Sequence, residues 1–265
     1  MEVTGMNTFQ EAIEVHGKQE LHLVTKTFSK GEFFVTCKAD ALALDLVLDM
    51  EENSSCSILV LNQAEQEVNV NVTMNIHRDS SCNMGLLDVQ EAPLQWNQKV
   101  NLIEEGANFN LISGQLCLPN QKKTGNLEVE HLAGHTYGEM KNFAVLSDEG
   151  KYEMTANGNI KKGCHEAQSH QATRVLTLGK GHSAKVTPLL LIDENQVKAS
   201  HALSIGQPDD EQLYYLQSRG LTKRQSLGLL SIGYFMPVID MIQSEELKEE
   251  VRVLVESKVG LYGCK

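Results

Sequence analysis

The stretch VTPLLLIDENQVKASHALSIGQPDDEQLYYLQSRGL, residues 186–221, changes period part-way, and that change decides the fold. Leu189 to Ile192 is a short apolar run between Pro188 and Asp193, and its length and proline boundary predict a buried strand. Val197, Ala199, His201 and Leu203 alternate with Lys198, Ser200, Ala202 and Ser204, which predicts a second strand ending near Ile205. Gly206 and Pro208 then interrupt the chain. Asp209 followed by Gln212 is a helix N-terminus of the capping-box type, and Asp210 and Glu211 suit the positive end of the helix dipole. Leu213, Leu216 and Leu221 form the apolar side, and Gly220 suits the position just past the helix end.

Upstream, short strands follow one another about every 10–15 residues, a spacing of many-stranded β architectures. LHLVTKTF (21–28), EFFVTCKA (32–39), ALDLVLDM (43–50) and CSILVLN (56–62) open the series. In EVNVNVTMNI (67–76), Val68, Val70, Val72, Met74 and Ile76 alternate with Asn69, Asn71, Thr73 and Asn75, giving one apolar face. Glu11–His16 reads as either a helical turn or a first strand. A sandwich, a barrel and a β-solenoid all fit, and with no exact repeat the pattern does not choose among them. The frequent asparagines fit stacked solenoid turns or simple turn propensity.

Past Gly220 the pattern is helical. Thr222 with Gln225 is a second capping box, opening a helix that Pro237 should kink or end. Gly228 and Gly233 inside it cost helix stability and point to a close helix contact. Ser244 caps a third helix with Leu247, Val251, Leu254 and Val255 on one side. Gly260 and Gly263 suit a frayed tail.

Composition narrows the classes. The 265 residues carry a net charge of −12, and the only basic clusters are pairs such as Lys161-Lys162 and Lys223-Arg224. Nucleic acid is therefore not an expected partner. No apolar run approaches the about 20 residues of a membrane span. Met1–Gln10 has no apolar signal core. The six cysteines, Cys37, Cys56, Cys82, Cys117, Cys164 and Cys264, form no C-x-x-C and read as reduced thiols of a cytoplasmic protein.

Ala199-Ser200-His201, Gly206, Asp209-Asp210-Glu211-Gln212 and Tyr214-Tyr215-Leu216-x-Ser218-Arg219-Gly220-Leu221 together resemble the C-terminal signature of the SufB/SufD family, scaffold proteins of Suf iron–sulfur cluster assembly. Residues 126–150 and 156–192, with His135-Thr136, His170-Gln171 and the Leu189–Ile192 run, extend the likeness from about Glu128 to about Phe235. The resemblance implies a right-handed parallel β-helix over 1–206 and a C-terminal helical region over 207–265 that docks the ATPase. Family members commonly carry an N-terminal helical region that this sequence does not show. The implied partners are a SufC-like ABC ATPase and either SufB or a second identical copy. The implied cargo is a transient iron–sulfur cluster or iron. Family complexes are also linked to a reduced flavin, for which the sequence carries no fingerprint.

His201 matches the family's Ser-His motif and is the first candidate for cluster assembly or iron binding, since neutral imidazole ligates iron. Taken alone, a lone histidine in a strand reads as structural. Where the SufB branch carries an assembly cysteine and a glutamate after its histidine, this sequence places Thr173 and Ala202, so it is more similar to SufD. Cys164 and His170 are secondary metal candidates; on a strand Cys164 and His165 would face opposite ways unless Lys162-Gly163 turns the chain. His170, His182 and His201 are expected to line up across successive coils. His131 and His135 have H-x-x-x-H spacing, but along a strand they would stand about 13 Å apart, which removes a zinc-protease reading. Tyr214, Tyr215, Arg219 and Gly220 mark the region expected to meet the ATPase; as plain structure, the tyrosines would be core. No phosphate-binding glycine loop is present, so no catalytic residue is assigned and the chain reads as a non-enzymatic scaffold. The alternatives are a purely structural interaction subunit and a β-helix carbohydrate-active enzyme, the latter needing clustered acids on one wall.

Overall fold

The computed structural model describes residues 1–260; Gly263 and Cys264 lie outside them. The strands are β1 (Glu2–Gly5), β2 (Thr8–Val15), β3 (Lys18–Thr25), β4 (Lys30–Cys37), β5 (Ala43–Met50), β6 (Ser55–Asn62), β7 (Val68–Ile76) and β8 (Ser81–Asp88). They continue as β9 (Leu94–Leu102), β10 (Asn108–Cys117), β11 (Lys122–His131), β12 (Tyr137–Leu146), β13 (Lys151–Ile160), β14 (Gln168–Thr177), β15 (Ser183–Ile192) and β16 (Lys198–Gly206). Three helices follow: α1 (Asp210–Ser218), α2 (Lys223–Ile239) and α3 (Glu245–Lys258). Odd strands pair in parallel in one sheet and even strands in the other, each in sequence order. This is a parallel β-solenoid, in which every coil contributes one strand to each of two facing sheets. Glu11–His16 falls largely on β2 and is strand, not helix.

The period-2 pattern sends one face of each strand into the solenoid. Leu44, Leu46, Leu48, Val70, Val72 and Met74 from the odd sheet meet Ile58, Val60, Met84 and Leu86 from the even sheet in one buried core. The outer face of the odd sheet is polar. There Asn71 donates to Asp45 and Asn97 to Asn71, while Asn75 donates to Asp49 and Asn101 to Asn75. The asparagine ladders therefore run across the strands of the sheet, not through turns.

The even sheet is covered outside by helices. Leu59, Leu61, Leu87, Leu116, Val145 and Leu176 form a second core with Phe235, Val238 and Ile239 of α2 and Val251 and Val255 of α3. Buried on both faces, these strands read as nearly continuous apolar runs such as SILVLN. Each such helix side chain contributes roughly 1.5–3 kcal/mol of burial. The close approach comes from the sheet: a Cβ on Gly114 would lie 2.9 Å from the Phe235 ring, and one on Gly85 3.2 Å from Met241 Sδ and 3.5 Å from Val238. Gly233 in α2, by contrast, has nothing within 4 Å, so it marks no close helix contact.

The caps form as expected. Asp209 accepts from the Glu211 and Gln212 amides, and Thr222 and Gln225 make the full reciprocal box. Pro237 sits in the last turn of α2, which ends at Ile239. Gly220 has φ +93° just past α1, a conformation open to glycine without steric cost.

Candidate functional site

The last coil, β15 and β16, is the open end of the solenoid. Each of its strands has a hydrogen-bonded neighbour on one side only, β13 for β15 and β14 for β16. Its apolar side chains have no further coil to cover them. On the inward parity, Ile205 is 44% exposed, with Leu203 and Ile192 also exposed; Leu189 and Leu191, the register partners of Asn157 and Asn159, are exposed on the outer face of the odd sheet. The Leu189–Ile192 run is thus a solvent-facing edge and not a buried strand. Pro188 sits inside β15, paired in register with Ala156, a position an edge strand tolerates because one side needs no ladder hydrogen bond.

His201 stands in this row. Register places Ala199, His201, Leu203 and Ile205 over Ser169, Gln171, Thr173 and Val175 of β14, and those four are buried. His201 therefore belongs to the interior-facing column, but at the uncapped end it is exposed. Beneath it, Gln171 Nε2 donates to the Leu189 carbonyl at 2.8 Å. Gln171 Oε1 and Ser169 Oγ have no partner. Gln171 and Ser169, a polar floor under His201, are the residues that motif reading missed. Their signal was polar type at inward-parity positions of a strand.

The other candidates are dispersed. His170 pairs with Ser200 in register, so it lies on the opposite face of the sheet from His201. There its Nδ1 is 2.8 Å from Ser200 Oγ and its ring packs against Tyr137. His182 lies in the turn after Thr177. Thr177 is six strand positions beyond Gln171, about 20 Å along the sheet from His201. The three imidazoles do not line up.

Cys164 lies in the turn between β13 and β14, buried with Ile160 and Ala167, and its thiol donates to the His131 carbonyl at 3.2 Å. Burial pushes that thiol up from its ordinary range. His165 points instead to Glu194 at 3.5 Å. Among the described residues, no three His, Cys, Asp or Glu side chains form a metal-holding group.

The α1 tyrosines are not core. Tyr214 is 77% exposed and Tyr215 56%, and the Arg219 guanidinium lies over the Tyr215 ring at 5.1 Å. Only Leu213 of α1 is buried.

A carbohydrate-active site would need a carboxyl held protonated. Glu130, on β11 of the odd sheet, does the opposite. Glu130 is bound by Lys161 and Lys99, whose hydrogen bonds hold its carboxyl below the usual range.

Residues 10–234 match the family model described as "SUF system FeS cluster assembly, SufBD core domain". The chain belongs to this family. It is 32% identical over 139 residues to the iron–sulfur cluster assembly protein SufD of Bacillus subtilis (strain 168), covering 52% of this chain and 32% of that protein. It is 24% identical over 160 residues to SufD of Escherichia coli (strain K12), covering 60% of this chain and 38% of that protein. A SufBD family protein of Mycobacterium leprae (strain TN) is 36% identical over 92 residues, covering 34% of this chain and 24% of that protein. The matched part of this SufBD-family chain spans about a third of the first two relatives' lengths. No described helix is long and apolar enough to cross a membrane.

Proposed function

We propose that the chain is a non-catalytic scaffold subunit of cytoplasmic Suf-type iron–sulfur cluster assembly, pairing through its open end with SufB or a second copy and binding a SufC-like ABC ATPase through its helices. One observation carries the reading: His201 stands in an exposed apolar row on two unpaired strand edges. An unpaired edge offers main-chain hydrogen bonds to a partner's strands, and the apolar row supplies the burial that holds them. His201 would then be enclosed at the junction as one ligand for iron or a nascent cluster. With Thr173 and Ala202 at the positions where the SufB branch supplies a cysteine and a glutamate, the remaining ligands fall to the partner. Exposed Tyr214 and Tyr215 with Arg219 suit a protein-binding face, since tyrosine and arginine carry much of the energy of such contacts. Closure of a bound ATPase pair would move the helices, and through the α2 packing the coils they cover.

The test is co-expression with the ATPase, with and without SufB, followed by light scattering on the purified complex. A stable assembly containing the ATPase is expected, and its mass separates the homodimer from the heterodimer. Leu203→Glu with Ile205→Glu should abolish pairing of the open ends. A chain that stays alone and ignores the ATPase would sink the proposal. Unchanged cluster assembly by His201→Ala in an intact complex would leave a purely structural subunit.

A further inference from the structure

Away from the open end, the solenoid holds one cysteine sulfur in contact with two others. Met50 closes β5, Cys56 lies at the start of β6, and Cys82 is its register partner on β8. Cys56 Sγ is 3.9 Å from Cys82 Sγ and 3.7 Å from Met50 Sδ. All three residues are buried, Cys56 at 2% exposure and the others at 0%. The turn 51–54 lies between the group and solvent, with Glu52 and Asn53 exposed on it. From β6 to β16 is five strand steps, about 24 Å, so this group is separate from the His201 end.

We infer that Met50, Cys56 and Cys82 form a binding site for a soft monovalent metal ion of the Cu(I) class. Thiolate and thioether sulfur select such ions over hard cations. Three bonds of about 2.3 Å, the metal–thiolate length in zinc sites, would set their sulfurs about 4 Å apart in a trigonal plane. The two separations from Cys56 Sγ, 3.7 and 3.9 Å, match that spacing. Structural zinc sites and iron–sulfur clusters take four protein ligands, and the group has three.

Charge is compatible with a monovalent ion. An apolar core tolerates an unpaired charge poorly. One Cu(I) replaces one thiol proton, which leaves to solvent. A sulfur–copper bond forms as the S–H bond breaks, no electron is transferred, and the net charge is unchanged. The second cysteine sulfur and the Met50 thioether complete the set.

The experiment is anaerobic titration of the full chain with Cu(I) held by a competing chromogenic chelator. One equivalent should transfer at the site, with about one proton released per copper. Cys56→Ser and Cys82→Ser should each abolish that equivalent, while Cys37→Ser, Cys117→Ser, Cys164→Ser and Cys264→Ser keep it. Met50→Leu, which conserves volume, should weaken it by about ten-fold or more. X-ray absorption on the unaltered protein should show sulfur-only coordination by three atoms, and this readout stands even where a cysteine variant fails to fold. No transfer, nitrogen or oxygen ligands, or retention of the equivalent by folded Cys56→Ser and Cys82→Ser would overturn the assignment.

Discussion

Gln171 lies one strand beneath His201 and crosses the solenoid to the Leu189 carbonyl through a 2.8 Å hydrogen bond. It ties β14 to β15 and leaves Oε1 unpartnered below the imidazole. Gln171→Ala removes that tie in a buried setting and leaves the Leu189 carbonyl without its side-chain donor. Stability should fall by about 1–3 kcal/mol in urea denaturation. His201→Ala, at an exposed position, should stay within about 0.5 kcal/mol of the parent yet lower cluster assembly by the complex. A stability loss in His201→Ala as large as that in Gln171→Ala would reverse the roles assigned to the two residues.

His131 is fully buried, its Nδ1 is 2.8 Å from Thr136 Oγ1, and burial lowers its pKa from 6.5 to about 4. The neighbouring His170 adds to the shift. The folded chain resists the proton that the unfolded chain accepts. Stability is therefore fully present above pH 6.5, declines as pH falls through that value, and reaches its full loss near pH 4. The shift corresponds to about 3 kcal/mol. Chemical denaturation across pH 7.5 to 4 should show this slope, and His131→Gln should flatten it. A variant with an unchanged slope would assign it to other groups.

Lys123 and Asp88 form a salt bridge at 2.7 Å with both side chains at 0% exposure, inside the corner between β8 and β9. The ammonium also donates to the Gln90 and Ala92 carbonyls, so each of its protons has an acceptor. Removing one partner strands a buried charge. Lys123→Met should cost about 3–5 kcal/mol, whereas Lys123→Met with Asp88→Leu should recover much of that loss. Melting temperatures of the single and double variants test this; a double variant worse than the single would refute it.

How far the sequence carried this reading is clearest from particular residues. The alternation at Val68–Ile76 marked a strand with one apolar face, and Thr222 with Gln225 marked a helix start; both are local facts and both hold. The coil repeat was not legible because it drifts. Asn71 meets Asp45 across 26 residues, Ser113 meets Asn142 across 29, and His170 meets Ser200 across 30. That last offset puts Gln171, not His170, beneath His201. The exposure of Leu189–Ile192 was hidden for a different reason. Leu190 and Ile192 face inward and are covered only if another coil follows, and here helix follows instead; Leu189 and Leu191 fall on the outward parity. Parallel neighbours such as Cys56 and Cys82 likewise need the register before they can be seen as a pair.

The helices offer a prediction in which stability and binding separate. Gly114 faces Phe235 so closely that a Cβ would sit 2.9 Å from the ring. Gly114→Val should displace α2 and cost about 1–3 kcal/mol, exposing α2 and α3 to limited proteolysis. Tyr214 and Tyr215 stand off the core, so Tyr214→Ala with Tyr215→Ala should leave the melting temperature nearly unchanged. If α1 is the ATPase contact, the tyrosine variant loses capture of the ATPase by at least about ten-fold, because truncating an aromatic anchor costs about 2 kcal/mol or more. Full capture by a folded Tyr214→Ala, Tyr215→Ala chain would move the contact away from α1, and comparison with Gly114→Val would then show whether α2 and α3 carry it.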